Sequence, residues 1–320
     1  MAKPDDRQPI TADNRVYADL RYLNSLQFEA RGFSFLPKQP VHSLLVGRHA
    51  SRLRGRGLNF EEMRHYRVGD DIRTMDWKVT NRTRKPHVRV YTEERERPVL
   101  LLIDQRQSMF FGSKNKMKSV VAAEIAALSA WRVLSVGDCI GALVFNDSEI
   151  AEVKPRRSRA TVLQILQHTL RMNHMLAAGR GQANGTGQLN RTLAEAERLC
   201  GHDYLLVLIS DMAGWNTETL KRIKRLSRHN NIITALIYDP LEQQLPGHQL
   251  VVSDGAVQIE VDGRRQTLQQ EFTREFDSEI EYLHHELKKY LVPVIVADTI
   301  EPVQQQIRRA IGNAQRRTQT

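Results

Sequence analysis

The chain has 320 residues, 41% hydrophobic and 26% charged, the balance of a soluble globular protein with room for one large domain or two modest ones. No run approaches the ~18 apolar residues of a membrane helix, and the polar stretch Met1 to Pro9 lacks the apolar core of a signal peptide, so the expected location is the cytoplasm. The net charge of +10 favours an acidic partner, whether nucleic acid, anionic lipid or an acidic protein face, with a solvated basic surface as the plain alternative.

Residues 12–30 predict an amphipathic helix, with Val16, Leu20, Leu23 and Leu26 recurring at helical spacing and Gly32 near its stop. Residues 36–46, with Pro37 and Pro40, predict a short loop and apolar segment. From Gly47 to Arg97 the chain is dense in Arg and Gly, with 14 Lys or Arg against 8 Asp or Glu. Within it, His87-Val88-Arg89-Val90-Tyr91 alternates like a strand with one wet face. Residues 1–98 are therefore expected to form an N-terminal region of one helix and several strands, and 99–320 a second domain.

After Pro98 strands and helices alternate. Val99 to Ile103, Tyr204 to Ser210 and Ile232 to Tyr238 are apolar runs of strands buried on both faces. Helices are expected at 115–135, 158–173, from the Gly-rich loop 179–187 to about Cys200, and at 216–229, 267–291 and 300–312. Cys139 to Phe145 and Glu149 to Val153 predict a hairpin pair around Asn146-Asp147. Two strands near Val251 and Val257 predict an insertion, and Val292 to Ala297 a last strand. This order predicts an α/β fold, a doubly wound, mostly parallel sheet with helices on both faces. Cys139 and Cys200 belong to no CxxC pair and read as buried thiols.

In such a sheet ligands bind at the carboxyl ends of the strands. The first strand exits into Asp104-Gln105-Arg106-Gln107-Ser108, the strand at 204–210 exits into Asp211, and the Gly-rich loop carries Thr186. Two carboxylates and two hydroxyls form an oxygen donor set suited to Mg²⁺. Either Asp alone is as well explained as a cap or a turn former.

Asp104-x-Arg106-x-Ser108, Gly185-Thr186 and Ser210-Asp211 together resemble the metal-ion-dependent adhesion site of von Willebrand factor type A domains. That site uses Asp-x-Ser-x-Ser, a Thr and an Asp. Asp104, Ser108, Thr186 and Asp211 match, and Arg106 stands where the first Ser belongs. A guanidinium has donors and no acceptor, so it cannot ligate a metal. Turned inward, Arg106 pairs with Asp104 or Asp211 in place of the cation; turned outward, it leaves a weakened Mg²⁺ site. The inward arrangement is the expectation.

Upstream, Gly47-Arg48-His49-Ala50-Ser51, Arg54-Gly55-Arg56-Gly57-Leu58, Phe60-Glu61-Glu62 and Arg64-x-Tyr66-Arg67-x-Gly69-Asp70-Asp71-Ile72-Arg73-x-x-Asp76-Trp77 resemble the signature of the domain of unknown function 58 family. In that family the signature precedes a type A-like domain. Taken as residues, Gly69-Asp70 predicts a turn, and Asp70, Asp71 and Asp76 are expected to pair with Arg64, Arg67 and Arg73. Trp77 is expected to anchor the core of the small region. The motif reads as architecture first and as a partner-docking surface second.

The resemblance implies a non-enzymatic interaction protein working with a MoxR-type AAA+ ATPase in chaperone-like maturation of other proteins. Arg106 is then the side chain offered to a partner's carboxylate. A metal-dependent hydrolase using Asp104 and Asp211 is the alternative, although no His or Lys stands out as its base. A basic nucleic-acid-binding protein is the third reading, weakened by an aromatic content of 6%. There is no P-loop and no GxSxG elbow, and His284-His285-Glu286 is not HExxH.

Overall fold

The computed structural model describes residues 13–30, 58–67, 70–93, 98–179, 185–253 and 258–317. The chain divides into two compact units, one of residues 1–37 with 97–320 and the other of 38–96. This departs from the expected 1–98 region, because the N-terminal helical segment belongs to the larger unit. That segment is two short helices, α1 (Asp13–Val16) and α2 (Leu20–Ser25), where one helix over 12–30 was expected. The break falls at Asp19, whose carboxylate caps α2 by accepting from Tyr22 N. Leu23, Leu26 and Ala30 are fully buried.

In the smaller unit, β1 (Leu58–His65) pairs antiparallel with β2 (His87–Glu93), with an irregularity between Phe60 and Glu62. Val88 is buried and Arg89 exposed, as the alternation predicts. A single 3-10 turn, Ile72–Thr74, and α3 (Trp77–Thr83) lie between the strands.

The larger unit holds a six-stranded sheet: β3 (Val99–Asp104), β4 (Ile140–Phe145), β5 (Ile150–Arg156), β6 (Leu205–Ser210), β7 (Asn231–Tyr238) and β10 (Val294–Asp298). Their order is β10-β7-β6-β3-β4-β5, all parallel but for the antiparallel edge strand β5. Between β7 and β10 lie α8 (Pro240–Gln243), the hairpin β8 (Gln249–Ser253) with β9 (Gln258–Asp262), and α9 (Gln266–Lys288). The remaining helices are α4 (Lys118–Ser135), α5 (Arg159–Asn173), α6 (Gly185–Leu199), α7 (Thr217–Ser227) and α10 (Val303–Arg317).

The strands are apolar throughout because both faces are covered. Leu101 and Ile103 pack with α2, α4, α5 and α10, while Leu100 and Leu102 pack with α6, α7 and α9. The doubly wound α/β fold expected from the alternation is thus present. Among the described residues, no helix is long and apolar enough to cross a membrane. Cys200 is buried, its thiol pushed up to about 12 by burial, whereas Cys139 is only half-buried.

Candidate functional site

The chain leaves β3 to build one flank of the sheet and returns to build the other from β6. The carboxyl ends of these neighbouring strands therefore bracket the point where the sheet order reverses, where α/β sheets place their ligands. Asp104 and Asp211 are the exit residues.

Asp104 is fully buried and shapes its own loop by accepting from Arg106 N at 2.9 Å. The Arg106 side chain folds back over the same carboxylate. Its Nε donates to both Asp104 oxygens at 3.0 Å and its Nη2 to Oδ2 at 2.7 Å. Nη2 also lies 3.4 Å from Asp211 Oδ1, and Nη1 donates to Ala213 O at 3.0 Å. The guanidinium is 1% exposed and stands 5.8 Å from the centre of the Phe145 ring. Burial disfavours its charge, yet Asp104 and then Asp211 outweigh burial and hold the proton more tightly than usual. The inward arrangement expected from the sequence is the one found, and it engages both carboxylates.

A second cation, which the motif does not foretell, completes the cluster. Lys118, the first residue of α4, donates to Asp211 Oδ2 at 3.0 Å and to Glu242 Oε1 at 2.6 Å. It is 3% exposed. Burial works against its charge, but Asp211 and Glu242 prevail and raise its pKa above the ordinary lysine value. Asp211 is the mirror case. Burial pushes its carboxyl up, and Lys118, Arg106 and the Ala213 N–H hold it below the usual carboxylate range. Glu242 is presented by α8, where it also accepts from Asp239 N and closes a capping box. Asp147, after β4, accepts from Gln107 N at 2.6 Å; burial raises its pKa, with Gln107 and Arg106 opposing.

The hydroxyls differ from expectation. Ser210 Oγ donates to Asp104 Oδ2 at 2.6 Å and accepts from Met212 N, which fixes the turn after β6. Ser108 Oγ is buried with no hydrogen-bond partner among the described residues and does not join the cluster. Gly185, Thr186 and Gly187 form the first turn of α6 rather than part of a loop, and the Thr186 side chain lies outside the described residues.

These residues do not fit Mg²⁺. Both Asp104 oxygens and both Asp211 oxygens already accept from cationic or backbone donors. Two unit charges 4 Å apart interact by about 4 kcal/mol at an effective dielectric of 20, so a dication set among these carboxylates works against two fixed cations. Among the described residues, no three His, Cys, Asp or Glu side chains are grouped to hold a metal.

A buried polar chain runs from the site to the N-terminal segment. Gln105 Nε2 donates to Ser119 O, Asn173 Nδ2 to Gln105 Oε1, and Ala18 N to Asn173 Oδ1 at 2.8 Å. Composition gave no hint of it.

In the smaller unit, the acids of the sequence signature are structural. Arg64 grips Asp70 through two bonds of 2.8 Å, and the Asp70 carboxyl is held below the ordinary range chiefly by that contact. Asp71 caps the 3-10 turn through Arg73 N, so it meets the backbone of Arg73 rather than its guanidinium. Asp76 caps α3 and accepts from Arg89 Nε and Nη2, which lower its pKa; its partner is Arg89, not Arg64, Arg67 or Arg73. Asp70 N donates to Arg67 O, so a turn is present there, while Gly69 lies outside the described residues. Trp77 is not a core anchor. It is 61% exposed, because the Asp76 cap and the Arg89 pair fix the start of α3 without its indole.

A family model described as "Protein of unknown function DUF58" matches residues 62–282. Uncharacterized proteins Rv1480 of Mycobacterium tuberculosis and Mb1516 of Mycobacterium bovis are each 29% identical over 209 residues, covering 65% of this chain. The chain spans 64% of the length of these curated relatives. Among solved structures, it is similar to the conserved hypothetical protein BatB from Bacteroides thetaiotaomicron, with 12% identity, a TM-score of 0.41, and coverage of 68% of this chain and 98% of that one. It is also similar to a von Willebrand factor type A structure from Catenulispora acidiphila, with 12% identity, a TM-score of 0.37, and coverage of 70% and 43%.

Proposed function

From the premise that this chain belongs to the DUF58 family, we propose that it is a non-enzymatic interaction protein working with a MoxR-type AAA+ ATPase in chaperone-like maturation of other proteins. One observation carries the non-enzymatic part. The two strand-end carboxylates that a hydrolase would use, Asp104 and Asp211, are committed to Arg106 and Lys118. A carboxylate whose oxygens are taken up by buried cations is neither a free base nor an open metal ligand.

Arg106 serves this function as a clamp and not, as the sequence led one to expect, as a side chain offered to a partner's carboxylate, because it is spent on Asp104, Asp211 and Ala213. Its side chain is buried, and it ties the loop after β3 to the loop after β6. A partner meeting this end of the sheet meets loops whose shape the clamp sets.

The test is retention of the purified ATPase on the immobilised full chain with ATP. Wild type is expected to retain it, and Arg106→Asp, checked for folding by circular dichroism, to lose it. Failure of wild type to retain the ATPase would sink the partnership. Calorimetry with Mg²⁺ and Mn²⁺ tests the metal-free site: no binding heat is expected for wild type, and weak binding for Arg106→Ser. A tight isotherm for wild type would overturn the reading in favour of the metal-dependent hydrolase.

A further inference from the structure

The smaller unit exposes two large apolar side chains five positions apart, Ile72 at 60% and Trp77 at 61%. Around them in sequence stand Arg73, Lys78, Arg82, Arg84 and Lys85, all exposed. None of these five cations has an ion-pair partner among the described residues, whereas other surface arginines such as Arg198, Arg222 and Arg309 are paired. The described acids nearby are spent: Asp70 on Arg64, Asp76 on Arg89 and the α3 backbone, and Asp71 on its own turn. Among the described residues, the segment therefore presents positive charge without ion-pair partners beside exposed apolar side chains.

We infer that Ile72–Lys85 is a docking surface for an acidic protein face with an apolar pocket, in which Trp77 and Ile72 fill the pocket while Arg73, Lys78 and Arg82 meet carboxylates at its rim. The inference rests on the proposed ATPase partnership, which supplies the acidic partner. Tryptophan and arginine dominate protein hot spots, where a central apolar anchor is ringed by polar contacts. Charge complementarity sets the partner's sign. A single-stranded nucleic acid wants successive stacking platforms, and this segment offers one indole. A membrane surface wants a broad apolar helix face, and α3 has seven residues, among them Thr80, Asn81 and Thr83.

The experiment measures binding of the full-length chain to the MoxR-type ATPase with ATP, by biolayer interferometry, for wild type, Trp77→Ala and the double variant Arg73→Glu/Lys78→Glu. Trp77→Ala is expected to weaken binding by about 30-fold, the size of a hot-spot loss. The double variant is expected to weaken it tenfold or more and to flatten its salt dependence. Iodide quenching, taken as the difference between wild type and Trp77→Phe, is expected to reach Trp77 in the free protein and not in the complex.

Thermal melts matching wild type certify the variants. If wild type binds and both variants bind within twofold of it, this surface is wrong and the partnership stands. If wild type does not bind, the partnership falls and takes this assignment with it. An indole already shielded from iodide in the free protein overturns the surface in either case. Trp77-dependent binding to phosphatidylglycerol vesicles or to DNA, with ATPase binding unchanged, overturns it in favour of those partners.

Discussion

Arg106 and Lys118 neutralise Asp104 and Asp211 inside the protein, and both ends of each pair are buried. Removing one member of such a pair strands the other. Lys118→Met is therefore expected to cost about 3–5 kcal/mol of stability, read from urea denaturation. The sign of its pH dependence follows from Asp211. Its folded pKa lies below the unfolded value, so its contribution is present above the ordinary carboxylate range and is lost as pH falls through the depressed value. In Lys118→Met the main counter-charge is gone and burial raises the Asp211 pKa, so acid unfolding is expected to begin at higher pH than in wild type. An unchanged acid midpoint would show that Lys118 does not hold the carboxylate. Asp104 and Asp211 were legible in the sequence because each stands at the end of a continuous apolar strand, and Arg106 because it occupies a serine's place in the motif. Lys118 and Glu242 were not, because nothing local marks a residue whose partner is 93 or 124 positions away.

At the scale of single elements, two helix features carry expected outcomes. The end of α9 is a Schellman arrangement: Val292 N donates to Leu287 O and Leu291 N to Lys288 O, with Leu287 and Val292 both buried. The left-handed residue between them is Leu291, at φ 57° and 84% exposed, a place where glycine carries no steric penalty. Leu291→Gly is expected to raise stability by about 1 kcal/mol, seen as a higher Tm; a lower Tm would mean that the leucine is held by contacts that offset its strain. In the N-terminal segment, Leu23 is fully buried and its carbonyl accepts from Trp131 Nε1. Leu23→Ala is expected to cost about 2–5 kcal/mol in chemical denaturation, as a core truncation does, and a loss below 1 kcal/mol would show that the segment is not part of the core. Periodicity found the apolar face of this segment but missed its break, since Asp19 reads equally well as a helix-surface residue. Boundaries drifted likewise at α6, where two glycines concealed a helical first turn.

For the whole molecule, the strand–helix rhythm was enough to write the sheet, because a two-sided parallel sheet leaves its apolar runs uninterrupted. The division into units was less legible. Sequence order suggested that everything before Pro98 belongs together, but chain proximity says little about which core a leucine fills. The overall charge was also ambiguous until pairing could be inspected. In the larger unit many cations have carboxylate partners, as with Arg171 and Glu149 or Arg222 with Glu197 and Glu218. Duplex DNA binding is accordingly expected to be weak and to vanish near 150 mM salt in a mobility-shift titration; a retained complex with a steep salt slope would revive the nucleic-acid reading.

The start of α4 carries one more consequence, for the order in which the chain can assemble. Its N-cap, Met117, offers no side-chain acceptor, its first turn has no acid, and its first residue is a lysine set at the positive end of an 18-residue helix dipole. Among the described residues, the carboxylates that answer that unfavourable charge are Asp211 and Glu242. A nascent chain emerging from the ribosome thus reaches the end of α4 long before the groups that complete its beginning. The carboxylates that answer Lys118 at this leading turn are supplied only when the segments after β6 and β7 have been made.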